Sequence, residues 1–202
     1  MFVRLAKVKD CQEIYDLIKD GDSGMTTLPK SKDEVLERIS WSKKSLNKKA
    51  KRPDKDSYLF VLKENNRIVG ISAIYTSVSK NGTSVFFKQK KKNISSKVFK
   101  FKKSLDVIQL HTVKNPYTEL GTLYLHPDFR GKGRGSLLSL ARFKFMALWP
   151  ERFDQKVVAE IRGKVDKDET SIFWKHFSKY FFDEEMFNNC LLYTSDAADD
   201  AG

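Results

Sequence analysis

Hydrophobic and polar positions change period several times along the chain, and each change predicts an element. Phe2–Leu5 predicts a short first strand. Cys11, Ile14, Leu17 and Ile18 recur at helical spacing, so a helix is expected from a cap at Asp10 to about Lys19. Gly21–Pro29 is rich in Gly, Ser and Thr and reads as a loop with enough donors to line a substrate site. Ser31 followed by Glu34 forms the S-x-x-E capping box, which opens a second helix through Val35 and Ile39 to roughly Lys44. Ser57–Leu62 and Arg67–Thr76 read as strands around the turn Lys63–Asn66, with Asn66 in the left-handed position of a hairpin. Ser84–Phe87 and Lys97–Phe101 are expected to form a further short pair, and Leu105–His111 leads towards a strand at Thr118–Leu125. Leu137, Leu140, Ala141, Phe145 and Leu148 then repeat at helical spacing. Lys156–Ile161 reads as another buried strand, and Ser171–Phe182 as a helix carrying Phe173, Phe177 and Phe181 on one stripe.

The resulting order is β-α-α-β-β-(β-β)-β-α-β-α. Mostly antiparallel strands with one late parallel crossover predict a mixed α/β sheet flanked by helices. The chain of 202 residues is 40% hydrophobic and 32% charged, enough for one globular domain with a real core. No apolar run reaches the length of a membrane span, and MFVRLAKVKD lacks a signal-peptide core, so a cytoplasmic location is expected. The two cysteines, Cys11 and Cys190, make neither a disulfide framework nor a metal pattern; free thiols and no metal are expected.

The net charge of +12 changes the picture only locally. Most of the excess sits in Lys43–Lys55 and Lys88–Lys103. Such runs suit RNA or an acidic surface, and equally a solvated face. Phe99 and Phe101 interleave with lysines in the second run, as on an edge strand where lysine discourages further pairing. No RNA-binding signature accompanies them, so nucleic acid is not the expected partner. A basic RNA-binding module without catalysis stands as the rival reading.

The chemistry concentrates between Tyr117 and Trp149. A strand is ended by His126-Pro127-Asp128, followed by Arg130, Gly131, Lys132, Gly133, Arg134 and Gly135, and then by the helix. Glycines permit a tight turn with N–H groups facing inward. The helix start adds partial positive charge, and Lys132 and Arg134 add full charges, which together suit a pyrophosphate. The P-loop pattern is absent, and the dinucleotide pattern fails because Ser136 stands where its third glycine belongs. Arg-x-x-Gly-x-Gly after a strand resembles the acyl-CoA-binding motif of the GNAT superfamily of N-acyltransferases.

The similarity extends over most of the chain, to about Phe182. MTTLP (Met25–Pro29), SYLFVL, GISAI (Gly70–Ile74), LGTLYLHPDFR, GSLLSLARFKFMA (Gly135–Ala147), KVVAEIRG (Lys156–Gly163) and the aromatic run Phe173–Phe182 resemble bacterial arginine N-succinyltransferase. That resemblance implies a GNAT-like fold, with succinyl-CoA as cosubstrate and no metal. It implies acylation of the α-amine of L-arginine, in some members of ornithine, in arginine catabolism. An acetyltransferase acting on another amine is the alternative within the class. The family's succinyl-CoA contact, a leucine in its T-L-x-L strand, corresponds to Leu123. In the superfamily, free backbone groups around Leu123–Leu125 bind the pantetheine arm, while the loop from Arg130 to Gly135 holds the pyrophosphate.

Two departures accompany the resemblance. The family's proteins are longer, and their proposed proton-donor histidine lies beyond the matched region; His111, His126 and His176 do not correspond to it. The tail Leu191–Gly202 resembles translated sequencing-adapter sequence. An acyl-CoA N-acyltransferase-like domain over 1–190, lacking its last strands, is therefore expected. An oligomer of the full-length protein is compatible with the sequence.

Acyl transfer needs a neutral amine and a polarised thioester carbonyl. Glu119 and Glu160 lie in the two strands beside the expected cleft and are candidates to contact substrate or relay a proton, or else to pair with a neighbouring cation. Tyr180 is expected to pack within an aromatic helix.

Overall fold

The computed structural model describes residues 1–19, 28–78, 84–113 and 115–161, together with 166, 171, 172, 175, 176 and 180. The expected turn at 80–82, most of the loop over 21–29, Phe173, Phe177, Phe181, Cys190 and the tail lie outside the described residues. The chain divides into two compact units, Met1–Glu160 and Ile161–Gly202.

In the first unit the strands are β1 (Phe2–Leu5), β2 (Ser57–Glu64), β3 (Arg67–Val78), β4 (Ser84–Ser96), β5 (Phe101–Val113), β6 (Tyr117–Leu125) and β7 (Val157–Val158). The helices are α1 (Cys11–Ile18), α2 (Lys32–Asn47) and α3 (Arg134–Leu148). One sheet runs β1-β2-β3-β6-β7; its pairs are antiparallel except β6–β7, which is parallel. This is the expected mixed α/β sheet. The run from Tyr58 to Leu62 carries large apolar or aromatic side chains at every position because β2 lies inside the sheet and is buried on both faces. Leu59, Val61, Ile71 and Ala73 pack on one face against Ile14, Leu17, Val35 and Ile39 of α1 and α2. Tyr58, Phe60 and Ile74 pack on the other against Phe145 of α3 and Phe153.

Local signals explain the helix starts, with two changes. Glu34 N–H donates to Ser31 Oγ at 3.1 Å, but the Glu34 carboxylate takes the amide of Lys30, one residue before the cap. Asp10 does not cap α1; it is buried and accepts from Arg4 Nη1 and Nη2 at 2.6 and 2.8 Å and from the Lys7 amide at 2.7 Å. The β2–β3 turn uses both Asn65 (φ 47°) and Asn66 (φ 65°) in the left-handed region, the demand of a two-residue primed hairpin turn.

Three expectations need correction. Lys97–Phe101 is not a strand. Ser84–Ser96 pairs with Phe101–Val113 in a separate two-stranded ribbon, and Lys97–Lys100 is its turn, with Val98 and Phe99 exposed. Lys88–Asn93 is solvent-exposed, so no alternation marked the strand. The second correction concerns α3, which buries Leu138, Arg142 and Phe145, while Leu137, Leu140 and Leu148 are 36%, 62% and 60% exposed. An arginine at an inner position defeats a reading based on apolar spacing. Third, the strand expected over Lys156–Ile161 is a ladder of Val157–Val158 only.

In the second unit, Ile172, Lys175 and His176 are helical, and Lys175 N–H donates to Ser171 C=O at 2.9 Å. Tyr180, expected to be buried in an aromatic helix, is 74% exposed. Among the described residues, no helix is long and apolar enough to cross a membrane.

Candidate functional site

The glycine-rich segment forms an open loop at a helix start. Beyond β6 the chain makes one tight turn, Pro127–Phe129, closed by Arg130 N–H to Pro127 C=O at 3.0 Å. Gly131 (φ 86°), Lys132 (φ 49°) and Gly133 (φ 74°) then follow in the left-handed region. Leu137 N–H donates to Gly133 C=O at 2.9 Å and begins α3. The amides of a helix's first turn have no acceptor within the helix, and the macrodipole makes that end positive. A Cβ placed on Gly131, Gly133 or Gly135 meets no atom within 4 Å, so the space over the loop is open. Arg130 and Lys132 are exposed on this loop, and a loop of this kind at a helix start suits an anion as a cradle.

Arg134 is oriented differently from its neighbours. Its Nε and Nη2 donate to the two carboxylate oxygens of Glu64 at 2.6 and 2.8 Å, and its guanidinium lies 5.8 Å from the Phe129 ring centre. That hydrogen bond holds the Glu64 carboxyl below the usual range. Arg134 thus ties the loop to the β2–β3 hairpin.

Below the loop the sheet forks. β7 meets β6 at Thr118 and Glu119, and beyond Glu119 the β7-facing edge of β6 has no ladder partner among the described residues. On its other side β6 is bulged: Gly121 pairs with Ala73 and Tyr124 with Ile71, so Thr122 and Leu123 both oppose Ser72. Thr122 has φ 45°, a conformation that costs a β-branched residue roughly 1–3 kcal/mol. Leu123 stands at the open edge, 42% exposed, while Leu125 packs towards Leu62, Val69 and Leu138.

Polar groups gather at the bulge. Tyr75 Oη lies 3.2 Å from Thr122 Oγ1 and accepts from Arg38 Nη1 at 3.0 Å. A Cβ on Gly121 would meet Tyr75 Cε2 at 2.6 Å and Glu119 Oε1 at 3.5 Å, so the missing side chain lets the ring and the carboxyl lie over the strand. Burial, then the charge of Glu160, raises the Glu119 pKa. Glu160 itself is exposed. From α3, Arg142 is 4% exposed and donates from Nη1 to Gly121 C=O at 3.3 Å and from Nη2 to Ser139 Oγ at 3.0 Å. Burial lowers its pKa, and no carboxylate lies within ion-pair distance of it among the described residues.

The structure therefore gathers Arg130–Gly135 at one end of β6 and Glu119 near the other, with Leu123 between. Sequence reading missed Tyr75, Thr122, Arg38 and Arg142. The available signal was Gly121, since a glycine inside a strand marks a bulge or a close approach.

A bulged strand, a fork towards a parallel neighbour, a glycine loop and a helix, in that order, define the acyl-CoA N-acyltransferase fold. Within it, the chain belongs to the arginine N-succinyltransferase beta subunit family, whose model matches residues 1–197. It is 34% identical over 190 residues to "Arginine N-succinyltransferase" of Yersinia pestis (strain Pestoides F), covering 92% of this chain and 53% of that protein. It is 33% identical over 187 residues to "Arginine N-succinyltransferase subunit beta" of Pseudomonas aeruginosa, covering 92% of this chain and 55% of that one. The solved structure of arginine/ornithine succinyltransferase subunit AI from Pseudomonas aeruginosa superposes with a TM-score of 0.75 at 28% identity, over 89% of this chain and 55% of that one. The chain spans about half the length of the curated relatives it matches.

Proposed function

We propose that this chain supplies the acyl-CoA-binding portion of a cytoplasmic arginine N-succinyltransferase, which moves a succinyl group from succinyl-CoA to the α-amine of L-arginine. The observation that carries the reading is the run of three left-handed residues, Gly131 to Gly133, opening α3 beside an edge of β6 that has no ladder partner beyond Glu119 among the described residues. The diphosphate of CoA sits over the loop, and the pantetheine arm lies along Leu123–Leu125 as an added strand. The thioester carbonyl reaches the bulge, where main-chain amides polarise it as negative charge develops. The amine nitrogen attacks the carbonyl carbon, the C–S bond breaks, and CoA leaves as thiol or thiolate. Glu119, whose pKa is raised by burial and then by Glu160, makes a stronger base than an exposed carboxylate and is suited to accept the amine proton, directly or through water.

Titration of the purified chain with CoA tests the reading. Binding is expected, and Gly133→Asp weakens it by more than about tenfold, because a side chain and a negative charge then occupy the cradle. Equal affinity in the two proteins refutes the loop assignment. A panel of acyl-CoAs and amines, with Arg and ornithine among the acceptors, separates succinyl transfer from acetyl transfer in an active assembly.

A further inference from the structure

We infer that Tyr75 and Arg142 clamp the β6 bulge from its two faces and are positioning residues for the thioester. The inference rests on the acyl-CoA reading above and concerns what holds the strand in the shape that reading uses.

A bulge removes residues from the ladder, and their polar groups need other partners. On the face of α1 and α2, the Tyr75 hydroxyl reaches Thr122 Oγ1 while Arg38 donates to the same hydroxyl. That connects α2, β3 and β6 at the residue with left-handed φ. The Tyr75 ring lies where a Cβ of Gly121 would be, so it also fixes the strand sterically. On the opposite face, Arg142 donates to the Gly121 carbonyl. Its other donors go to Ser139 of its own helix.

The choice of arginine at 142 is informative. Among the described residues no carboxylate pairs with Arg142, and a buried guanidinium without one is unfavourable where an apolar side chain of similar length packs at lower cost. Packing alone therefore does not account for arginine there. Fixing the peptide that joins Gly121 to the bulged Thr122 does, because the Gly121 carbonyl and the Thr122 amide share one plane, so a donor on the carbonyl also sets the direction of that amide. A clamp of this kind sets the direction of the neighbouring amides before substrate arrives, which is how electrostatic preorganisation acts.

The test uses the full chain with succinyl-CoA carrying carbon-13 at the thioester carbonyl. Difference infrared spectroscopy reads the carbonyl stretch of the bound ligand, and a parallel titration reads CoA affinity. In the unaltered chain the stretch is expected to move to lower wavenumber on binding. In Tyr75→Phe and Arg142→Met at least half of that shift is lost, while CoA affinity stays within about threefold because the loop is untouched. Arg142→Lys, which keeps one donor, retains more of the shift than Arg142→Met. Should Arg142→Met fail to fold, Tyr75→Phe and the isosteric Thr122→Val decide. A full shift in variants that still bind CoA overturns the clamp and leaves the acyl-CoA reading intact. Absence of CoA binding by the unaltered chain overturns both.

Discussion

Arg134 and Glu64 meet side-on, with Nε at 2.6 Å from Oε2 and Nη2 at 2.8 Å from Oε1, across the gap between the first turn of α3 and the end of β2. The two-point geometry fixes the guanidinium plane as well as its position. It gives the arginine of the loop an anchoring task and leaves Arg130 and Lys132 exposed as cations beside the open space. Arg134→Gln leaves Glu64 as an uncompensated carboxylate near the cradle, and CoA affinity is expected to fall about tenfold. The double variant Glu64→Gln, Arg134→Gln restores the local charge and is expected to bind CoA within about threefold of the unaltered chain. A double variant as weak as the single one shows instead that Arg134 touches the diphosphate. Calorimetric titration of the three proteins decides.

Glu119 carries a pH signature. Its pKa is higher in the folded chain than in the unfolded one, chiefly through burial and then through Glu160. Below about pH 4 both states hold the proton and the group contributes nothing. As pH rises, the unfolded chain releases the proton first, so stability falls until the folded pKa is passed, and then stays level. Glu119→Gln removes that loss. Its Tm is expected to exceed that of the unaltered chain at pH 7.5 and to match it at pH 4. Glu160→Gln, which removes only the second cause, gives a smaller gain. A Glu119→Gln protein less stable at pH 7.5 contradicts the assignment of an unfavourable buried charge.

The parts of this molecule legible in its sequence are those where one residue type answers one local demand. Ser31 at a helix start, Asn66 in the left-handed position of a hairpin turn and the glycines after β6 could each be read in place, whereas Lys63 and Glu64, expected in that turn, belong to β2. β2 and β3 could be placed because Tyr58–Leu62 and Ile68–Ile74 are mostly apolar and lie on either side of a tight turn. The ribbon Ser84–Val113 was misread because most of its residues face water on both sides, which leaves no period to detect. The inner face of α3 was misread because Arg142 occupies it. The centre of the candidate site escaped for a related reason. Arg38, Tyr75, Thr122 and Arg142 come from α2, β3, β6 and α3, and only register and a bulge bring them together.

Arg152 is a further instance of a role set by tertiary placement. Its guanidinium donates to the carbonyls of Ser45 at 2.9 Å and Lys48 at 3.0 Å, and to Tyr58 Oη at 3.3 Å. The carbonyls of a helix's last turn lack partners within the helix, and that end is negative. Arg152 thus caps α2 from more than a hundred residues away in sequence. Arg152→Ala is expected to cost about 2 kcal/mol by urea unfolding. Faster amide exchange in the last turn of α2 is expected to accompany it. A loss below about 0.5 kcal/mol, within the range of ordinary surface substitutions, argues that water replaces the guanidinium without penalty.

Asp10 ties the first strand to the turn that precedes α1. Burial opposes its ionisation, but hydrogen bonds from Arg4 and the Lys7 amide outweigh it, and the net pKa is lowered. The stabilisation is present above the unfolded carboxylate value and is lost as pH falls through the folded one. Asp10→Asn keeps the shape but loses the charge-assisted bonds to Arg4, and is expected to cost about 2–3 kcal/mol at pH 7. Because protonation makes the aspartate neutral too, the difference between the two proteins should shrink progressively below about pH 4. Urea midpoints measured from pH 7 down to pH 3 test this. A gap that stays constant over that range means that the asparagine fails through its shape or donors, and that the charge of Asp10 contributes little to the fold.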